Sequence, residues 1–196
     1  AIRALEGGIS FSGIVEADEL LMKYSEKGRK FKNKEEYRKA KNKKHPKVAI
    51  LVVTDREGNL LFKQVGEKKV KNEQLREELK GRLSENNLIC IKPKKEFRKG
   101  VKGLQSKKVI VNKRQIKRGI YSVKIVENKI SDFKTWLSRF HGVATKYLQS
   151  YLMWFVVMNK YLKELIDPDI GRLLNLSSHD RWAWDKYREI VSQRYE

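Results

Sequence analysis

A chain of 196 residues with 45 Lys and Arg against 24 Asp and Glu carries a formal net charge of +21, which strains any compact fold unless a polyanion neutralises it. Apolar side chains at 40% suffice for one domain with a substantial core and exclude wholesale disorder. No apolar run reaches the roughly 18 residues of a membrane-spanning helix. The single Cys90 excludes an internal disulfide or a multi-cysteine zinc site and suits a reducing cytoplasm.

Alternating apolar positions at Ile9, Phe11 and Val15 predict a first strand over 9–17, ending at Ala17-Asp18-Glu19. Residues 22–47 are polar and basic, with Gly28 and Pro46 as breakers, and read as a long loop with a short helix over 34–41. The β-branched run 47–54, the turn 55–58 and the run 59–65 predict a hairpin. Leu75, Leu79 and Leu83 make one apolar stripe on a helix over 72–83. Leu88 to Ile91 is a continuous apolar strand of the kind buried on both faces, and Pro93 prevents its continuation. A fifth strand is predicted over 107–112. Ile130, Phe133, Leu137 and Phe140 share one side of a helix over 126–140. A further helix over 145–165 is capped by Thr145, Pro168 ends that region, and a last helix covers 178–195.

The order strand, strand, strand, helix, strand, strand, helix, helix is that of the ribonuclease H-like α/β fold of the retroviral-integrase type. It implies a mixed five-stranded sheet with flanking helices over 9–165 and a C-terminal helical extension over 166–196. Basic residues recur at 27–47, 68–71, 92–102 and 107–118, a distribution that fits a long phosphate-tracking surface. The candidate contacts are Lys30, Lys32, Lys43, Lys44, Lys94, Lys95, Lys107, Lys108, Lys113, Arg114, Lys117, Arg118, Lys134 and Arg139. The competing reading is a lysine-rich proteome in which exposed positions drift to Lys.

The segment Arg139-Phe-His-Gly-Val-Ala-Thr-Lys-Tyr-Leu-Gln-Ser-Tyr-Leu-Met-Trp-Phe155, with the residues upstream of it, resembles the end of a transposase catalytic domain. The similar family is the Merlin-related, ISXO-like group of bacterial DDE insertion-sequence transposases. Val15-Glu16-Ala17-Asp18-Glu19 is similar to its Val-Glu-x-Asp-Glu pattern, which carries the first catalytic aspartate. Glu127 takes the place of the third carboxylate, although Ile130 stands where a polar or aromatic residue is usual. The family's second aspartate comes after the fourth strand as Cys-x-Asp-Gly, and this chain has Cys90-Ile91-Lys92-Pro93. The resemblance covers 9–160 and is strongest over 119–155.

The implications of the resemblance turn on metal chemistry. Cutting or joining a phosphodiester in this way uses two divalent ions about 3.5–4 Å apart, held by carboxylates. Asp18 and Glu127 would hold magnesium in an active enzyme, but an ammonium at Lys92 cannot ligate it and opposes it electrostatically. The nearest other carboxylates, Glu96 and Asp55, are out of register. The implied function is therefore a transposase-derived DNA-binding domain of the bacterial cytoplasm and nucleoid, without bound metal and without strand transfer. Its implied partner is double-stranded DNA, with a homo-oligomer or larger nucleoprotein complex beside it and no membrane. Two alternatives stay open: an active magnesium-dependent transposase or nuclease, and a scaffold module in a larger assembly.

Overall fold

A computed structural model describes residues 9–112 and 117–164, with backbone alone for residues 41, 117, 118 and 161–164. Its centre is a five-stranded sheet of β1 (Ile14–Met22), β2 (Val48–Asp55), β3 (Leu60–Glu67), β4 (Leu88–Ile91) and β5 (Lys107–Ile110), ordered β3-β2-β1-β4-β5. β1, β2 and β3 pair antiparallel, whereas β4 runs parallel to β1, and β5 parallel to β4. Among the described residues five helices accompany it: α1 (Lys34–Asn42), α2 (Asn72–Leu79), α3 (Lys95–Val101), α4 (Lys124–Ser138) and α5 (Thr145–Glu164). A short hairpin of two-residue strands, β6 (Lys117–Arg118) and β7 (Tyr121–Ser122), precedes α4. This mixed sheet with helices on both faces is the ribonuclease H-like arrangement. No helix of the described residues is long and apolar enough to cross a membrane. The extension over 166–196, its helix over 178–195, and the basic residues Lys113 and Arg114 lie outside the described residues.

The period-two alternation of strand side chains decides which helices cover which face. Every residue of β2 is buried, as the β-branched run requires. Ile50 and Val52 pack with Phe62, Phe133, Leu137, Leu152 and Phe155 under α4 and α5. Ala49, Leu51 and Val53 pack with Leu75, Leu79, Phe97 and Val101 under α2 and α3. In β1, Val15 and Ala17 join the second cluster while Leu20 joins the first. Glu16 and Asp18, which share Leu20's parity, therefore face α4. Their burial is a consequence of register.

Several boundaries differ from expectation. β1 starts at Ile14, since Gly13 at φ +55° turns the chain, and residues 9–13 are a lead-in held by Arg82 and Asn87. It then runs past Asp18 to Met22 because β2 keeps pairing with it through Met22↔Val48. α2 stops at Leu79, before Gly81 at φ +76°, and the helix predicted to reach 140 ends at Ser138, before the left-handed His141 and Gly142. α3 is an addition to the predicted elements. It packs so tightly on α2 that a Cβ on Gly100 would lie 2.5 Å from Leu75 Cδ2. Thr145 does not cap its own helix: its Oγ1 accepts from the Ser25 N–H at 2.8 Å, and its N–H donates to the Ser25 carbonyl at 2.8 Å.

Candidate functional site: an internal ion cluster

Glu16 organises the site from below. It is fully buried, and its carboxylate accepts from the Ser122 hydroxyl (2.7 Å), the Ile125 N–H (2.8 Å) and the Val126 N–H (3.1 Å). The residue at the N-cap of α4 is Val123, whose side chain cannot accept a hydrogen bond. The second and third helical N–H groups are those a capping side chain normally satisfies. Glu16 thus caps α4 from a neighbouring strand, and its negative charge sits at the positive end of the helix dipole. That contact locks the first turn of α4, which carries Glu127, against β1.

Two residues along the same face lies Asp18, 4% exposed. β4 pairs with β1 only as far as Ala17↔Ile91, so the chain leaves the sheet at Lys92 directly beside Asp18. Lys92 Nζ donates to Asp18 Oδ2 at 2.5 Å and lies 2.6 Å from Glu127 Oε1. Lys94 Nζ donates to Asp18 Oδ1 at 2.8 Å and to Glu19 Oε1 at 2.9 Å. The Glu19 N–H adds a third donor to Asp18, bonding Oδ1 at 2.8 Å, and Glu19 Oε2 accepts from the Val70 N–H at 3.1 Å. Acids and ammonium groups alternate through the cluster. It floors a cleft of about 330 Å³ that Leu20, Ile130 and Lys134 help to line.

Burial alone would raise the Asp18 carboxyl, but hydrogen bonds and charge from Lys92 and Lys94, with the Glu19 N–H, hold it below its ordinary value. Burial likewise works against the Lys92 ammonium, and the Asp18 and Glu127 carboxylates override it, raising that group above its ordinary value. The Asp18 contribution to stability is present above the ordinary carboxyl range near pH ~4 and is lost as pH falls through the depressed folded value. The Lys92 contribution is present below pH ~10 and is lost as pH rises through the elevated folded value. Across the neutral range both act together.

The donor set does not fit magnesium. Both Asp18 oxygens already accept from ammonium groups, and Lys92 Nζ bridges the two carboxylates that would have shared the ion. Among the described residues no group of three or more His, Cys, Asp and Glu is arranged to hold a metal. Glu96 and Asp55 do not join the site. Glu96 pairs with Lys69, while Asp55 is buried in its turn, accepting from Ser12 and Asn59.

The basic candidates separate into groups. Lys94 belongs to the ion cluster, and Lys134 lines the cleft above it. Lys30, Lys32, Lys43 and Lys44 are exposed on the β1–β2 connection, Lys95 on α3, Lys107 and Lys108 on the edge strand β5, and Arg139 after α4. For Lys117 and Arg118 the backbone alone is described. Glu16 is absent from the sequence-based candidates, although its parity with Asp18 and the non-capping Val123 are both visible in the sequence. Lys27 is absent from them as well: its Nζ donates to the carbonyls of Phe140, His141 and Gly142 at 2.9–3.1 Å, pinning the connection to the turn before α5.

Cys90 lies on β4 under the same face, fully buried, and burial together with the Glu16 charge pushes its thiol up to about 11. The thiolate is the reactive form. Iodoacetamide near pH 8 is therefore expected to label the native protein at least about 100-fold more slowly than the urea-unfolded chain. Comparable rates in the two states would contradict a sealed, protonated thiol.

The cluster draws on β1, the segment after β4, and the first turn of α4. Residues 10–157, which contain all three, match the ISXO2-like transposase domain. No curated protein sequence matches the chain. The family match takes in the whole five-stranded sheet and most of α5, and the chain belongs to the ISXO2-like transposase domain family.

Proposed function

We propose that this transposase-derived domain binds double-stranded DNA and neither cleaves nor joins it. The observation that carries the reading is the Lys92 ammonium lying between Asp18 and Glu127. Two-metal phosphoryl transfer needs one ion to activate the attacking oxygen and another to stabilise the leaving oxygen. Here a tethered cation neutralises the carboxylates. It can hold them in place, but it has no open coordination position for a phosphate oxygen or a water. Catalysis is absent on this reading while the geometry of the old site persists.

Binding rests on charge. The net +21 and the exposed lysines of the β1–β2 connection, α3 and β5 suit phosphate neutralisation. Each neutralised phosphate releases counterions, so the logarithm of the affinity should fall with the logarithm of salt by about 0.9 per contact. Chelator should leave that affinity unchanged.

The test joins two measurements. In a plasmid-cleavage and oligonucleotide strand-transfer assay with magnesium or manganese, product is expected to stay at the level of Asp18→Ala. In fluorescence anisotropy with labelled duplex, affinity is expected to drop steeply with salt. Metal-dependent product that disappears in Asp18→Ala would establish a working enzyme and overturn the inactivity. An affinity indifferent to salt would remove the nucleic acid.

A further inference from the structure

The connection between β1 and β2 is far longer than an antiparallel pair requires, where a few residues suffice. Residues 23–47 hold twelve Lys and Arg against three Glu, together with Tyr24, Phe31, Tyr37 and His45. They fold around a cleft of about 420 Å³ that these four rings line, with Arg29 and Lys43. Tyr24 stacks on His45 with ring centres 4.4 Å apart and planes 19° from parallel. Phe31 meets Tyr37 edge-on at 5.4 Å, and the Arg29 guanidinium lies 5.1 Å over the Phe31 ring.

These rings do not behave as core. Tyr37 is 50% exposed and Tyr24 37% exposed, although a small insert gains most stability by burying its aromatics. His45 Nε2 is buried without a hydrogen-bond partner among the described residues. Glu26, the acid that lines the cleft, pairs with Arg29 at 2.8 Å, and Arg29 also pairs with Glu36 at 3.0 Å. Lys30, Lys32, Lys43 and Lys44 remain exposed in the same connection. The connection is also held in place: Lys27 grips three carbonyls before α5, and Ser25 and Thr145 exchange two hydrogen bonds. A preordered site loses less entropy when it binds.

Open aromatic faces beside exposed ammonium groups suit single-stranded nucleic acid, whose bases offer free faces and whose phosphates need neutralising. Bases inside a duplex are stacked on one another and offer no such face. We propose that this cleft is a subsite for an unstacked base in a single-stranded stretch of nucleic acid, with the base against Tyr37 and Tyr24 and its phosphates on the exposed lysines. The inference rests on the DNA-binding reading above and adds a preference for a junction or frayed end over uninterrupted duplex.

The test is fluorescence anisotropy of the whole chain on a blunt duplex and on the same duplex carrying a short oligothymidine overhang, at fixed salt. Wild type is expected to bind the overhang substrate about 5- to 100-fold more tightly than the blunt one. Tyr37→Ala should lose most of that gain while keeping its blunt-duplex affinity, and Tyr37→Phe, which preserves the stacking face, should retain it. Tyr37 is half-exposed on α1, so the variant leaves the core untouched. No overhang preference, or a preference unaffected by Tyr37→Ala, would overturn the subsite while leaving duplex binding standing. Failure to bind either substrate would overturn both readings.

Discussion

Glu16→Ala is expected to lower the unfolding free energy by about 3 kcal/mol, one of the largest losses any single substitution near the site should produce. The substitution removes the acceptor that serves the Ser122 hydroxyl and the Ile125 and Val126 N–H groups. A buried donor left unsatisfied costs roughly 1–3 kcal/mol, and a lost helix cap roughly 0.5–2 kcal/mol. Against this stands relief from burying a carboxylate, which keeps the net below the simple sum. Glu16→Gln separates the contributions. Its amide oxygen can still accept from the two backbone N–H groups, and its NH2 can donate to the Ser122 oxygen, so a loss of about 1 kcal/mol is expected. Urea titration of the three proteins gives the ranking. At this chain length the alanine variant should also melt about 6–12 °C lower. An alanine variant within about 0.5 kcal/mol of wild type would mean that α4 does not depend on Glu16 for its cap.

The ion cluster is legible in the sequence only in part, for a reason tied to its members. Asp18 closes the predicted first strand, Lys92 follows the fourth and Glu127 opens the helix after the fifth, so element order alone brings the three together beside the end of β4. Lys94 cannot be distinguished there from the many surface lysines. Its partnership with Asp18 and Glu19 depends on where β4 stops pairing and on the path through Pro93, which is tertiary information. Glu16 is fixed by strand parity, but an isolated acid in a strand reads as a solvated one until α4 is seen to start over it. The β1–β2 connection is legible as basic, and α1 ends one residue beyond its expected end, with Asn33 accepting from the Glu36 N–H at 2.8 Å as its cap. Its aromatic cleft is not legible, because the four rings are spread over 24–45 with no shared period. Neither is α3. Seven residues containing Gly100 and three cations carry too little apolar pattern to announce a helix that forms by packing on α2.

Replacing the tethered cation by a ligand should create metal affinity at the cluster. In Lys92→Asp, three carboxylates meet where Lys92 now joins Asp18 and Glu127, and without metal their repulsion should make the variant less stable than wild type by about 2–4 kcal/mol at neutral pH. The sign reverses with the ion. Magnesium or manganese at about 100 times its dissociation constant should return roughly 2.7 kcal/mol, because it binds the folded state alone. Wild type should gain nothing, since its site is filled by an ammonium that a divalent ion cannot evict without separating Lys92 from two carboxylates. Thermal melts of wild type, Lys92→Met and Lys92→Asp across a metal series read this directly. The methionine variant controls for simple loss of the ammonium: it lacks the third carboxylate and should respond far less. Turnover is not the readout. Lys94 still holds Asp18 Oδ1, and Pro93 stands where the related transposases carry glycine, so binding can return without chemistry. A metal-dependent rise in wild type equal to that of Lys92→Asp would mean that an ion enters beside the ammonium, and a flat response in both would mean that Asp18 and Glu127 no longer form a metal site even with the cation removed.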